Sequence, residues 1–319
     1  MKKQPYSLLV VFSVCIIHWP AHGKTGHDFP GALDTPVEGP TFSDNLTLVG
    51  HIQLAQDTTY IVGDRPQLTD LYVAGNYAYL GSFLNRIYIV DISTPQQMRL
   101  AVEIPTKYAA VDLKIEGDLA VVGLQDSRLN GGGLLILDIS APENPQILAE
   151  MDMGEQGGVH NLFIYKQRVY IAHSTFKTDG KGLTVVDISD PTTPKISGRW
   201  RNNDPFSDVI HDVFILDGKA YLSDIVAGQG GLVIVDLEDL DRPQTLSSFA
   251  IPEGVHSAWK EGDYVYCNQE YGGWDQPLYV IDVRDPMHPT QVRRFRAEGT
   301  PDGPILGPHN PYVHNGLLF

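Results

Sequence analysis

The sequence predicts an all-β fold, a β-propeller of four-stranded antiparallel blades, and three observations carry that prediction. A short apolar strand closed by aspartate recurs five times: IYIVD at 87–91, LLILD at 134–138, LTVVD at 183–187, LVIVD at 232–236 and LYVID at 278–282. The closing aspartates stand 47, 49, 49 and 46 residues apart, a period that belongs to propeller blades or helical solenoids. Each period holds further β-rich runs around a tight turn and no amphipathic stretch of helical length, which selects the propeller.

Within a period the elements follow in order. Residues 71–73 and 77–80 flank Gly75-Asn76, and 213–216 and 220–222 flank Asp217-Gly218; such two-residue turns match the twist of hairpin strands. The Asp-closed strand comes third, and its aspartate leads a turn such as Ile92-Ser93-Thr94-Pro95 or Ile188-Ser189-Asp190-Pro191. These aspartates are expected to accept backbone N–H bonds in the turn rather than to act as general acids. A fourth strand follows, as at 146–150 and 195–200.

The N-terminus predicts export. Lys2 and Lys3 precede an apolar run at 8–17, and Ala21-His22-Gly23 supplies small residues two apart, the pattern of a signal peptide (residues 1–23) cleaved after Gly23. The run is too short to anchor the chain in a bilayer, and Val14 stands where a lipoprotein signal wants a small residue, so Cys15 is not expected to be lipidated. Cleavage removes two lysines and no acid, and the formal charge of -16 becomes -18. With no Lys/Arg-rich run to offset it, that charge argues against nucleic acid and anionic lipid as partners. Cys267 is then the one remaining cysteine, expected as a small buried apolar residue. Residues 24–40 read as a leader or linker, and 41–319 as the propeller.

The strand Leu232-Val233-Ile234-Val235-Asp236 and its four spaced copies resemble the LVIVD-repeat proteins, including the exported choice-of-anchor B group. That resemblance implies a bacterial or archaeal surface or secreted β-propeller whose members mostly lack an assigned activity. It brings no catalytic residues.

Residues 46–54 read as the outermost strand of a blade whose other strands lie elsewhere in the chain, and Pro308-His309-Asn310 opens a sixth copy that stops at Phe319. Six or seven blades are expected, with the C-terminal part of the ring and any anchor missing from this sequence.

Aligning the copies exposes a candidate site. The first strands open with His160-Asn161, His211-Asp212, His256-Ser257 and His309-Asn310, while the two earlier copies carry Thr69-Asp70 and Val111-Asp112. First strands line a propeller's channel, so the four histidines are expected to ring one of its mouths. Two roles compete for them: structural hydrogen bonding between blades, or a transition-metal site (Zn, Cu or Fe) with Asn161, Asp212 and Asn310 orienting the rings. The loops after the second strands emerge on the same face, and Asp126, His173, Asp224, Glu270, Tyr271 and Trp274 are expected to form a binding surface there for a protein or small-molecule ligand.

No Gly-x-Ser-x-Gly elbow, His-Glu-x-x-His helix, phosphate-binding loop or Cys-x-x-Cys pair occurs. The expected function is an exported binding or scaffold propeller, located in the periplasm, on the cell surface or in the medium, with no tightly held metal. The alternative is a metal-dependent exported oxidoreductase or hydrolase that uses the histidine arc.

Overall fold

A computed structural model describes residues 49–52, 54, 68–126, 131–154, 158–173, 182–202, 209–269, 277–295, 310–314 and 317–318. Five four-stranded antiparallel sheets follow one another along the chain, each in strict meander order. Blade one is β1 (Leu68–Ala74), β2 (Tyr77–Ser82), β3 (Arg86–Asp91) and β4 (Arg99–Pro105). Blade two is β5 (Ala109–Glu116), β6 (Leu119–Gln125), β7 (Gly132–Asp138) and β8 (Gln146–Asp152). Blade three is β9 (Asn161–Tyr165), β10 (Arg168–Ala172), β11 (Leu183–Asp187) and β12 (Lys195–Trp200). Blade four is β13 (Ile210–Leu216), β14 (Lys219–Asp224), β15 (Gly231–Asp236) and β16 (Gln244–Ala250). Blade five is β17 (Ser257–Glu261), β18 (Tyr264–Asn268), β19 (Leu278–Asp282) and β20 (Thr290–Phe295), and a short hairpin follows, β21 (Val313–His314) with β22 (Leu317–Leu318).

The blades form because the third strand is apolar on both faces. Tyr88, Ile89 and Val90 of β3, like Ile136 and Leu137 of β7, are fully buried, so a sheet must cover each side. Neighbouring blades supply that cover: one core joins blades one and two through Tyr79, Ile89, Leu113 and Leu135, and others join two to three, three to four, and four to five. In all five blades the pairing of third and fourth strands slips by one residue at the same place, for example between Ile89 and Val90 and between Ile234 and Val235. A recurring bulge of this kind increases local twist and bends the outer strand.

The turns carry the predicted chemistry. Asp217 and Gly218 both adopt positive φ, 52° and 74°, the conformation that two-residue hairpins require. Every closing aspartate accepts the N–H two residues on: Ser93 to Asp91 (2.9 Å), Ser140 to Asp138 (2.8 Å), Ser189 to Asp187 (2.8 Å), Glu238 to Asp236 (3.0 Å) and Arg284 to Asp282 (3.0 Å). Near the N-terminus Leu54 is buried against Ala78, Leu80, Tyr88 and Val90.

Candidate functional site at the inner strands

First strands stand next to one another in the series β1, β5, β9, β13, β17 and β21, and each is the edge of its own sheet. An edge strand leaves half of its N–H groups unpaired within the sheet, and those must find partners. Here the partner is a side chain of the preceding blade. Leu113 donates its N–H to Asp70 (3.1 Å), Leu162 to Asp112 (2.6 Å) and Val213 to Asn161 (3.2 Å), while Ala258 donates to Asp212. The acceptor is the same repeat position each time, and so is the donor. Asn161 and Asp212, expected to orient the imidazoles, thus staple neighbouring inner strands together.

Blades one and two add a buried cation to this ladder. Lys114 lies between Asp70 (3.1 Å) and Asp112, and also donates to the Leu113 carbonyl (3.2 Å). Burial works to lower the Lys114 pKa, but the two carboxylates outweigh it and raise it. Burial likewise works against Asp70, yet the charge of Lys114 and the bonds from Asp112 and Leu113 hold it below its ordinary value. Asp112 is pushed well up, by burial first and then by the neighbouring Asp70 charge. Burial also raises Asp212 to about 6.

Three of the four aligned histidines come together; His309 lies outside the described residues. The His160 and His211 rings are 4.4 Å apart, and those of His211 and His256 4.2 Å. His160 Nε2 is 2.9 Å from His211 Nε2, and His211 Nδ1 is 3.0 Å from the His256 carbonyl. A carbonyl only accepts, so neutral His211 carries its proton on Nδ1 and presents a bare Nε2 to His160. His160 then donates from Nε2 and needs a donor at Nδ1. The Gln125 amide is 3.2 Å from that nitrogen. Turned with its NH2 group toward the ring, it meets the need and gives its otherwise unpartnered amide nitrogen a bond. The result is a directional chain, Gln125 to His160 to His211 to the His256 carbonyl. Burial pushes the His160 pKa down to about 4, which keeps the ring neutral.

Among the described residues, no three His, Cys, Asp or Glu side chains are grouped to hold one metal ion. The 2.9 Å between the two Nε2 atoms is a hydrogen-bond distance, shorter than the roughly 3.3 Å that separates two nitrogens on a tetrahedral zinc.

Two residues expected on the exposed loop face are interior. His173 is 1% exposed, with Nδ1 on the Gly158 carbonyl and Nε2 on the Thr184 hydroxyl, both at 3.0 Å. Asp224, also 1% exposed, accepts the Val226 N–H at 3.1 Å. Both sit where the second strand ends, and the sheet's cover extends past that end. Asp126 is partly exposed and Asn310 exposed; Glu270, Tyr271 and Trp274 lie outside the described residues.

Sequence reasoning missed a row of aromatic rings. Phe163, Phe214, Trp259 and Tyr312 stack edge to face or tilted from blade to blade, with centroids 5.5, 4.7 and 4.6 Å apart. Each stands three residues after an aligned histidine, a spacing visible in the sequence, and Tyr72 and Lys114 take that place in blades one and two.

A family model described as the LVIVD repeat matches residues 67–106, 109–152 and 157–201, which correspond to blades one to three. No curated protein matches the chain. Among solved structures, the computationally designed Ika8 protein is similar at 16% identity and a TM-score of 0.55, over 79% of this chain. The chain spans 66% of that protein, just under two thirds. A proposed 6-phosphogluconolactonase from Bacteroides uniformis is similar at 11% identity and a TM-score of 0.57, over 72% of this chain and 73% of that one. The β-propeller domain of Cps50 (Swd1) from Myceliophteria thermophila is similar at 12% identity and a TM-score of 0.50, over 73% and 76%. At such identities the likeness is one of fold, and the fold is a β-propeller.

Proposed function

Because the chain carries tandem LVIVD repeats folded as propeller blades, we propose that it is an exported binding or scaffold protein that takes a protein or small-molecule ligand on its loop face. One observation carries this reading. The polar groups of the inner strands, where a propeller enzyme would assemble its chemistry, are committed to joining blades: Asp70, Asp112, Asn161 and Asp212 hold backbone N–H groups of the next blade, and His160 and His211 belong to a hydrogen-bonded chain. Ligand contact would then fall to the loops after the second strands, with Asp126, Glu270, Tyr271 and Trp274 as contact residues and negative charge favouring a cationic guest. Export rests on the N-terminal pattern Lys2-Lys3, the apolar run and Ala21-His22-Gly23.

Elemental analysis of protein purified from its native compartment, with sequencing of its N-terminus, tests the proposal. The expected result is a chain beginning at Lys24, without stoichiometric transition metal. A stoichiometric metal that disappears when His160, His211 and His256 are together changed to alanine would instead establish a metal-dependent protein, and an intact N-terminus on cytoplasmic protein would overturn export.

A further inference from the structure

The neighbouring inner strands β9, β13 and β17 present two kinds of side chain in alternation. Leu162, Ile164, Val213 and Ile215 are buried, whereas Asn161, Phe163, Asp212, Phe214 and Trp259 are half-buried. Residues two apart share a face of a strand, so Phe163 stands beside Asn161 on β9 and Phe214 beside Asp212 on β13. Trp259 follows Ala258, whose N–H Asp212 accepts. Phe163 and Phe214 each pack one side on a core between blades. The three rings, with centroids 5.5 and 4.7 Å apart, thus adjoin a carboxylate and keep part of their surface open.

The charges beside this row do not balance. Lys114 pairs with Asp70 and Asp112, and burial, with the Asp70 charge, pushes Asp112 well up, toward its neutral form. Lys114 and Asp70 then cancel. Asp212 has no ion-pair partner among the described residues. Its carboxylate accepts the N–H groups of Val213 (2.8 Å) and Ala258, neutral donors that leave its charge uncompensated. Burial makes that charge costly and raises Asp212 to about 6. A cation beside it relieves the cost, and the rings offer that cation an apolar and electron-rich wall.

We propose that Asp212, Phe163, Phe214 and Trp259 form an inward-facing site for a small organic cation, a methylated ammonium group. The carboxylate supplies the counter-charge, and the rings supply contact for the methyl groups. That combination suits an alkylated nitrogen, which sheds water easily, better than a metal ion, which needs more oxygen or nitrogen ligands than one carboxylate offers. The site is separate from the loop surface and does not depend on what binds there.

Titration of the full chain with choline, and separately with its uncharged isostere in which carbon replaces the nitrogen, tests this. The readout is the NMR signal of the Trp259 indole N–H, assigned from its loss in Trp259→Phe. Choline is expected to shift that signal saturably, with a Kd of about 1 mM, and the isostere to bind at least about tenfold more weakly. Asp212→Asn keeps an acceptor for the Ala258 N–H and removes the charge. It is expected to weaken choline by at least about fivefold and to leave the isostere unchanged within about twofold. No saturable shift at Trp259, equal binding of the two probes, or choline binding unchanged in a folded Asp212→Asn variant each overturns the proposal. A shift confined to the Trp274 indole puts the guest on the loop surface and overturns it as well. If Asp212→Asn does not fold, the comparison of choline with its isostere in the wild type decides alone.

Discussion

Blades one and two carry Thr69 and Val111 where blades three to five carry imidazoles, and blade two carries Lys114, paired with Asp70 and Asp112, where they carry aromatic rings. Both arcs face one task, to partner the unpaired N–H groups of an edge strand and fix each blade against the next. The first arc does it with charges. A carboxylate accepts the backbone bond, and a lysine compensates the negative charge that accumulates when two such carboxylates adjoin. The second does it with one carboxylate, one amide, a neutral imidazole chain and stacked rings. The repeat therefore prescribes where a side chain stands and which backbone group it must serve, and leaves the chemistry open. Each charge and each imidazole at these positions serves a stated neighbour, a backbone group or a ring of the next blade.

Breaking the charged arc should have the largest effect. Asp112→Ala leaves Lys114 with one counter-charge and the Leu162 N–H without its acceptor, and is expected to cost about 3–5 kcal/mol in urea-induced unfolding. Adding Lys114→Met should recover part of that loss, because the orphaned cation is removed with its partner. In the aromatic arc, Phe214→Leu keeps most of the buried area but removes the contacts with Phe163 and Trp259. It is expected to cost about 1–2 kcal/mol by the same measurement.

Within the second arc, buried groups oppose one another in pH dependence. His160 and His173 are pushed from 6.5 to about 4, in both cases chiefly by burial. The unfolded chain thus binds protons that the folded chain refuses. Their contribution is complete above pH 6.5 and is lost as pH falls through 4. Burial pushes Asp212 the other way, from 3.8 to about 6, so its contribution is complete below 3.8 and is lost as pH rises through 6. Asp212→Asn keeps an acceptor oxygen for the Ala258 N–H and removes the opposing trend. Its melting temperature should climb more steeply than the wild type's between pH 4 and 6.5, and its advantage near pH 7 should be about 1–2 kcal/mol. The smallest effect is expected where the arcs do not differ. Asp138→Ala and Asp236→Ala each remove one turn bond, with small and equal shifts of the unfolding midpoint in either arc confirming that the outer turns do not share the inner difference.

The repeat, the hairpin turns and the turn-forming aspartates were legible in the sequence because each is a local pattern: an apolar run closed by Asp, two residues at positive φ, an N–H two positions on. The alignment of His160, His211 and His256 was legible for the same reason, since a fixed period places equivalent residues side by side. The staples were not. Asp70 meets Leu113, and Asn161 meets Val213, across one blade period, and nothing local to Asn161 tells whether its amide turns to the imidazole beside it or to the next strand. His173 and Asp224 were misplaced because the polar residue that ends a second strand reads like the start of its loop. Whether the sheet still covers it depends on the neighbouring blade.

The most direct test of the inner-strand account is the protonation pattern of its imidazoles, read from side-chain nitrogen NMR of the full chain at pH 7 before and after one equivalent of zinc. The chain from Gln125 predicts His160 protonated on Nε2 with a bare Nδ1, His211 protonated on Nδ1 with a bare Nε2, and both spectra unchanged by zinc. His160 and His211 in the same tautomer, or zinc-induced shifts at both Nε2 nitrogens, would contradict it.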